Sequence, residues 1–363
     1  MSLQELHNGR ILIVHQGALG DLILALPAIQ ALRHALQPIQ LEMMGHPWLL
    51  APVSGRPYAD AVRDINRADM IPLFQEGVPL PAGMERYLQG FDCAFCFSQS
   101  DNLARNLCRA GIRRTFTLPS FPDKRIHTID HHLSSLNAFG IPTISTSPTI
   151  YLRREERQEA GQFFGRRGWD LTRIAALHPG AGSRKKVWPA PRFAALARAL
   201  AGKSYKILII EGPADKAATQ EVAAGLERIP YLLVRDLPIS QLAALLSYVA
   251  LFIGNDSGIS HLAAALKRPT IALFGPTDPY VWAPRGNRAF WLQGNAACAP
   301  CTRDEQRLCA RQQCLEGIEV EQVMAFIREK ELLGDSAALS RERSLDSESG
   351  NSRYGEKGIS VQP

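Results

Sequence analysis

The sequence predicts an α/β protein made of two doubly wound, parallel-sheet halves. Three observations predict it. Short apolar runs alternate with amphipathic stretches along the chain. The first run, Arg10-Ile-Leu-Ile-Val14, opens onto a glycine-bearing turn and then a helix. The proline- and hydroxyl-rich residues 140–150 interrupt both periodicities, as a linker would. At 363 residues the chain exceeds one ordinary core, and two domains of roughly 100–200 residues each are expected. The expected divisions are an N-terminal domain over 1–150, a C-terminal domain over 151–333 and a tail over 334–363.

In the first half, Arg10 to Val14 reads as a buried strand, followed by the turn His15-Gln-Gly-Ala-Leu-Gly20. Asp21 then opens an apolar-periodic helix to about Leu36, in which Pro27 predicts a kink or short break. Ile39 to Met44 and Phe91 to Phe97 read as strands, Asn102 to Ala110 as a helix, Arg114 to Leu118 as a strand and Asp130 to Phe139 as a helix. Cys93 and Cys96 share a strand, where residues three apart point to opposite faces, so they are expected in the core rather than on a metal. His127, His131 and His132 lack a nameable third ligand and are expected to be solvated or to face an acceptor.

The second half repeats the rhythm. Strands are expected at 173–177, 206–210, 231–234, 249–253 and 270–274, with helices at 155–167, 193–201, 214–226, 239–247, 258–266 and 318–333. Beyond Gly334 the chain is Ser, Glu, Arg and Gly with almost no apolar content, which predicts disorder. Cys298, Cys301, Cys309 and Cys314 place four thiols in loop-like sequence. Two readings stay open for them: a structural zinc or iron site, or a loop of free or partly oxidised thiols.

A hydrophobic fraction of 46% with 21% charged residues is that of a soluble globular protein. The net charge of +6 and pI near 9.0 suit anionic partners. No long Lys/Arg run accompanies them, which argues against nucleic acid. Nothing resembles a signal peptide or an uninterrupted transmembrane run, so a cytoplasmic protein with largely reduced cysteines is expected, with at most peripheral contact at the inner face of the membrane.

The chemistry gathers at three places. The most distinctive is Leu251-Phe-Ile-Gly-Asn-Asp-Ser-Gly258, where a buried strand meets a helix at a polar corner. The free N–H groups of a helix start favour an anion there, and Ser257 and His261 share one helical face. The local alternative is that Asp256 and Ser257 are only a helix cap. The other two places are Ala18-Leu-Gly-Asp21 and His178-Pro-Gly-Ala-Gly-Ser-Arg-Lys-Lys-Val-Trp-Pro189. Gly17-x-x-Gly20 falls short of the GxGxxG fingerprint, which counts against a dinucleotide-dependent oxidoreductase.

Taken together, these motifs closely resemble the ADP-heptose–lipopolysaccharide heptosyltransferases of glycosyltransferase family 9. The residues that carry the resemblance are Gly20-Asp21 with Leu26-Pro27-Ala28, His178-Pro-Gly-Ala181, Lys186-Val-Trp188-Pro189, Asn255-Asp-Ser-Gly258 with His261-Leu-Ala-Ala264, and Phe274-Gly-Pro-Thr-Asp-Pro279. They fall in order over roughly residues 10–330. The resemblance implies the GT-B architecture, two facing Rossmann-like domains with a cleft between them, the acceptor on the first and the nucleotide sugar on the second. It implies inverting transfer of heptose from ADP-heptose to the lipopolysaccharide inner core, with no cofactor required. The absence of an Asp-x-Asp motif agrees with that.

By the same resemblance, Asp21 is the general base and Lys186 neutralises the departing diphosphate, with Arg184 or Lys185 as possible sharers of that role. Ser257, Gly258 and His261 would hold the diphosphate, and Asp256 would accept from sugar hydroxyls. Gly182 and Ser183 are candidate phosphate contacts; Glu211 and Asp215 are candidate ribose or adenine contacts. Asp21 as a mere helix cap, and 184–186 as a solvated basic loop, remain the plain alternatives. Another sugar nucleotide, a protein acceptor or a non-catalytic nucleotide-binding homologue are the competing functions.

Overall fold

A computed structural model describes residues 6–75, 77–333 and 359–362. The chain divides into two compact units, Met1–Tyr151 and Leu152–Pro363. The first is a five-stranded parallel sheet of β1 (Arg10–His15), β2 (Gln40–Gly45), β3 (Ala61–Asp64), β4 (Cys93–Phe97) and β5 (Arg114–Leu118), in the order β3-β2-β1-β4-β5. Its central strands read as unbroken apolar runs because helices cover both faces of a parallel sheet. The strand order reverses direction beside β1, so the carboxyl ends of β1 and β4 flank a topological switch point. His15 lies directly across from Phe97 there.

The second unit carries β6 (Ile174–His178), β7 (Lys206–Glu211), β8 (Tyr231–Arg235), β9 (Leu251–Asn255), β10 (Thr270–Phe274), β11 (Ala289–Gln293) and β12 (Ile359–Gln362). They are ordered β11-β10-β9-β6-β7-β8-β12. All pairings are parallel except β12 on β8, which is antiparallel. Here the switch point lies between β6 and β9, with His178 in register with Gly254.

Several expectations meet the structure directly. The helix Leu19–Leu36 runs unbroken through Pro27, with twelve of its eighteen residues buried. That burial outweighs the one backbone bond the proline removes. By length and composition the same helix could cross a membrane, yet 67% of it is packed inside the first unit. Cys93 and Cys96 are both fully buried, and burial pushes each thiol up to about 12. Three strands escape the sequence reading. β3 and β11 are edge strands of intermediate burial, without the apolar run that marks a central strand. β12 falls inside the stretch expected to be disordered, where Ile359 and Val361 alternate and pair along the otherwise open edge of β8. The rest of that tail, 334–358 and 363, lies outside the described residues.

Candidate active site

The strand-to-helix corner of the second unit is built by cross-braces rather than by local capping. Asn255 ends β9 with no exposure at all. Its Nδ2 donates to the carbonyls of Pro179 (2.9 Å) and Gly180 (3.1 Å), and its Oδ1 accepts from the Trp188 backbone N–H at 2.9 Å. One side chain thus ties the loop after β6 to the loop after β9. Losing the amide would strand buried carbonyls at a cost of about 1–3 kcal/mol each. Trp188, also fully buried, closes the brace from below by donating its indole N–H to Ile318 O at 2.9 Å.

Ser257 occupies the cap position of the helix Gly258–Ala265, but its hydroxyl makes no cap hydrogen bond. Instead its Oγ lies 3.2 Å from His178 Nδ1. Asp256, 7% exposed, likewise turns away from the helix. Its Oδ2 takes Lys186 Nζ at 2.7 Å and the Thr277 hydroxyl at 2.6 Å. The plain helix-cap alternative therefore does not describe either side chain. Gly258 begins the helix, and His261 sits on its first turn, 5% exposed.

The basic loop 184–186 separates into distinct jobs. Lys186 pairs with Asp256, its side chain 28% exposed. Lys185 donates to the carbonyls of Gln306 and Arg307 at the end of the helix Arg303–Leu308, where a cation meets the negative helix terminus. Arg184 lines a cleft of about 400 Å³ together with Ala181, Asp215, Glu221, Gln312 and Glu316. Ser183 caps the short 3-10 turn through Lys185 N at 3.3 Å, and Gly182 is exposed with open space at its Cα. Glu211 is buried, accepts from the Thr219 hydroxyl and pairs with Arg235 Nε at 3.3 Å.

Thr277 escapes the sequence reading although its motif is visible there. Gln293, on the unexpected strand β11, holds the Thr277 loop by donating to Gly275 O (3.1 Å) and Thr277 O (3.2 Å).

In the first unit Asp21 sits in the first turn of the helix Leu19–Leu36, half-buried. Its Oδ2 accepts from the Ala18 backbone N–H at 2.9 Å, so the carboxylate does cap the helix. A Cβ on Gly17 would lie 2.7 Å from Asp21 Cβ and 2.9 Å from its Oδ2, so the glycine is the seat of this carboxylate.

His15 crowds the same Cβ position of Gly17, its Cε1 3.0 Å away, and leads into a buried aromatic chain through Phe97 to His132. His127 and His132, expected to be solvated or acceptor-facing, are 7% and 2% exposed, because the helix Thr128–Asn137 packs on the helix Leu19–Leu36. His127 caps its helix through Ile129 N at 3.2 Å, and His131 reaches Pro119 O at 2.9 Å. Burial lowers His15 to about 4, and burial with the neighbouring histidines lowers His132 to about 3. The unfolded chain therefore binds protons below pH 6.5 that the folded unit refuses until near those values, so stability falls as pH falls. Each pH unit across that window costs about 1.4 kcal/mol per histidine. The urea midpoint is expected to drop steeply from pH 6.5 toward 4, and His132→Gln to flatten the slope; a flat wild-type profile would contradict this burial.

A family model for glycosyltransferase family 9 (heptosyltransferase) matches residues 124–310, more than half of the chain. The chain belongs to glycosyltransferase family 9. Lipopolysaccharide heptosyltransferase 3 of Escherichia coli K12 is 32% identical over 228 residues, which cover 60% of this chain and 63% of that protein. The match thus spans less than two thirds of that relative. The glycosyl transferase family 9 structure from Veillonella parvula superposes with a TM-score of 0.74 at 22% identity, covering 90% of this chain and 98% of that one. The E. coli ADP-heptose lps heptosyltransferase II structure gives 0.69 at 19% identity, covering 92% and 99%. The fold is the GT-B class of these family-9 proteins, two parallel-sheet α/β units.

The four C-terminal thiols are unevenly placed in this family member. Cys298 is exposed, Cys301 and Cys309 intermediate and Cys314 buried. The Cys301 thiol is raised to about 11 by burial, by the Cys298 thiol hydrogen-bonded to it and by Cys314. Cys309 Sγ donates to Arg311 O at 3.1 Å. Among the described residues no group of three or more His, Cys, Asp or Glu is arranged to hold a metal ion. The spacing that suggested zinc or iron therefore corresponds to no preformed ligand set here.

Proposed function

We propose that the protein is an inverting glycosyltransferase that moves a heptose from ADP-heptose onto the lipopolysaccharide inner core. The observation that carries the reading is the corner at the β6/β9 switch point. There Lys186, Asp256 and Thr277 form one hydrogen-bonded cluster beside the helix start at Gly258, in a chain of family 9. The carboxyl ends of strands at such a reversal are where α/β sheets bind ligands. The name of the E. coli K12 relative supplies the lipopolysaccharide acceptor class, and that of the solved E. coli heptosyltransferase II supplies the ADP-heptose donor.

In this mechanism Asp21 takes the proton from an acceptor hydroxyl as its oxygen attacks the anomeric carbon. The bond from that carbon to the diphosphate breaks, and the electron pair leaves on the nucleotide. Lys186 neutralises the leaving diphosphate, and the open N–H groups at Gly258 add partial positive charge. Ser257, Gly182 and Ser183 are the further phosphate contacts in this reading. It places the enzyme in the cytoplasm, with at most peripheral contact to the inner face of the membrane, through basic surface.

The test is product detection by mass spectrometry with a panel of sugar nucleotides and lipid A–core acceptors. Heptosylated core from ADP-heptose supports the reading. Transfer only from another sugar nucleotide, or only to protein, would move it to a different branch of the family. The four-thiol segment is the one feature that favours that second branch, and metal content after purification without chelators checks it.

A further inference from the structure

Asp215 reads from sequence as a nucleotide contact, but its surroundings give it other work. It is 7% exposed and seated against two glycines. A Cβ on Gly180 would lie 1.9 Å from its Cγ, and one on Gly212 would lie 2.8 Å from its Oδ2. The first glycine of the His178-Pro-Gly-Ala loop is therefore spent on this carboxylate. The carboxylate accepts from the Gly212 N–H at 2.9 Å, from the Ala181 N–H and from His178 Nε2 at 3.0 Å. Burial pushes its carboxyl up, but these hydrogen bonds and the imidazole together hold it below the usual carboxylate range. Asp215 is thus an anion that only accepts, and His178 Nε2 must carry a proton.

That leaves the other ring nitrogen, 3.2 Å from Ser257 Oγ, with two states. Bare, Nδ1 accepts the Ser257 hydroxyl proton, and Ser257 turns only lone pairs toward the corner. A diphosphate oxygen, which also only accepts, can make no hydrogen bond to it. Protonated, Nδ1–H donates to Ser257 and frees the hydroxyl proton for the ligand. The alternative partner of Ser257, the Ser260 hydroxyl at 3.4 Å, already donates to Asn255 O at 2.6 Å.

We infer that Asp215 and His178 are positioning residues that turn Ser257 into a hydrogen-bond donor to the diphosphate, His178 taking one proton from solvent as the anion binds. The proton enters at Nδ1, no other bond changes, and the buried Asp215 carboxylate balances the imidazolium. Other titratable groups on the surrounding elements are the Lys186–Asp256 pair next to Ser257, His261 one turn further along the same helix, and Arg184 and Glu221 in the cleft that Asp215 lines. Glu211 is held by Arg235. Among the described contacts of His178, Asp215 is the charged one. The inference rests on the donor-site reading above.

The experiment is titration calorimetry of the full chain with ADP-glucose and with adenosine, each in buffers of different ionisation enthalpy above pH 7. A diphosphate diester has no proton of its own to exchange there, and adenosine has no phosphate. ADP-glucose is expected to bind with net proton uptake, its affinity falling up to tenfold per pH unit, while adenosine binds with neither. Ser257→Ala and His178→Gln should abolish the uptake. Asp215→Asn, which can still accept from Nε2–H, should weaken ADP-glucose about tenfold or more and leave adenosine unchanged. Nitrogen NMR of the His178 ring in the wild-type protein gives the same answer without a variant: two protonated nitrogens with ADP-glucose bound. ADP-glucose binding without proton uptake, or uptake that survives in His178→Gln, overturns the inference alone. Loss of adenosine affinity in Asp215→Asn would make Asp215 a direct nucleoside contact and overturn it too. Failure of the wild-type chain to bind either ligand removes the donor site itself.

Discussion

Asp21→Asn is expected to lower kcat for sugar transfer on the order of 10²–10⁴-fold while leaving donor affinity nearly unchanged. The amide keeps the size of the carboxylate and can still accept from the Ala18 N–H, which the carboxylate takes at 2.9 Å. The helix therefore keeps its cap, and what disappears is the group able to receive the acceptor's proton. If Asp21 only capped the helix, Asp21→Asn would leave both turnover and stability nearly intact, and Asp21→Ala would lower thermal stability by roughly 0.5–2 kcal/mol with turnover retained. Gly17→Ala completes the test by moving the carboxylate rather than removing it. A methyl there must displace Asp21, whose Oδ2 would be only 2.9 Å away. A displacement of about an ångström at a reacting group costs on the order of 10²-fold in rate. If both variants turn over at the wild-type rate, Asp21 is not the base.

The central strands of both sheets and the helices between them are legible in the sequence because burial on two faces leaves unbroken apolar runs. Edge strands are not. β3 is four residues of intermediate burial, and β11 owes its place to the side of β10 it covers. The candidate site divides along a similar line. That 255–258 and 184–188 belong together follows from family resemblance, not from spacing, since Lys186 and Asp256 are 70 positions apart and meet only through the sheet. Polar residues at turns read alike from sequence whether they face a ligand or the protein. Asn255 proves to be wholly internal, bracing the loop after β6, and Asp215 serves His178. Gly180 and Gly182 look equally suited to a phosphate, yet only Gly182 has open space before it. Which glycine seats a carboxylate is fixed by Asp215, in the loop after another strand, and no local pattern carries that.

Lys186→Met is expected to cost on the order of 10²–10³-fold in kcat, the range for removing a preorganised group that stabilises developing negative charge. The ion pair it makes with Asp256 complicates a simple reading. Asp256 is 7% exposed, and without Lys186 at 2.7 Å its charge keeps the Thr277 hydroxyl at 2.6 Å as its remaining described partner. A buried charge that loses its partner destabilises the fold, here by about 1–3 kcal/mol given that the lysine side chain is 28% exposed. A loss of activity alone could therefore reflect a loosened corner. Lys186→Met combined with Asp256→Asn separates the two effects, because the neutral amide no longer needs a cation. The double variant is expected to recover the thermal stability lost in the single one and to remain inactive. Recovery of turnover along with stability would make Lys186 a structural partner of Asp256 rather than the cation for the leaving diphosphate. Arg184 and Lys185 are poor substitutes: one lines the cleft beside Asp215, and the other is bound to the carbonyls of Gln306 and Arg307. Neither is placed to replace an ammonium group that lies at the corner, 2.7 Å from Asp256, which is why the single variant is expected to show so large a defect.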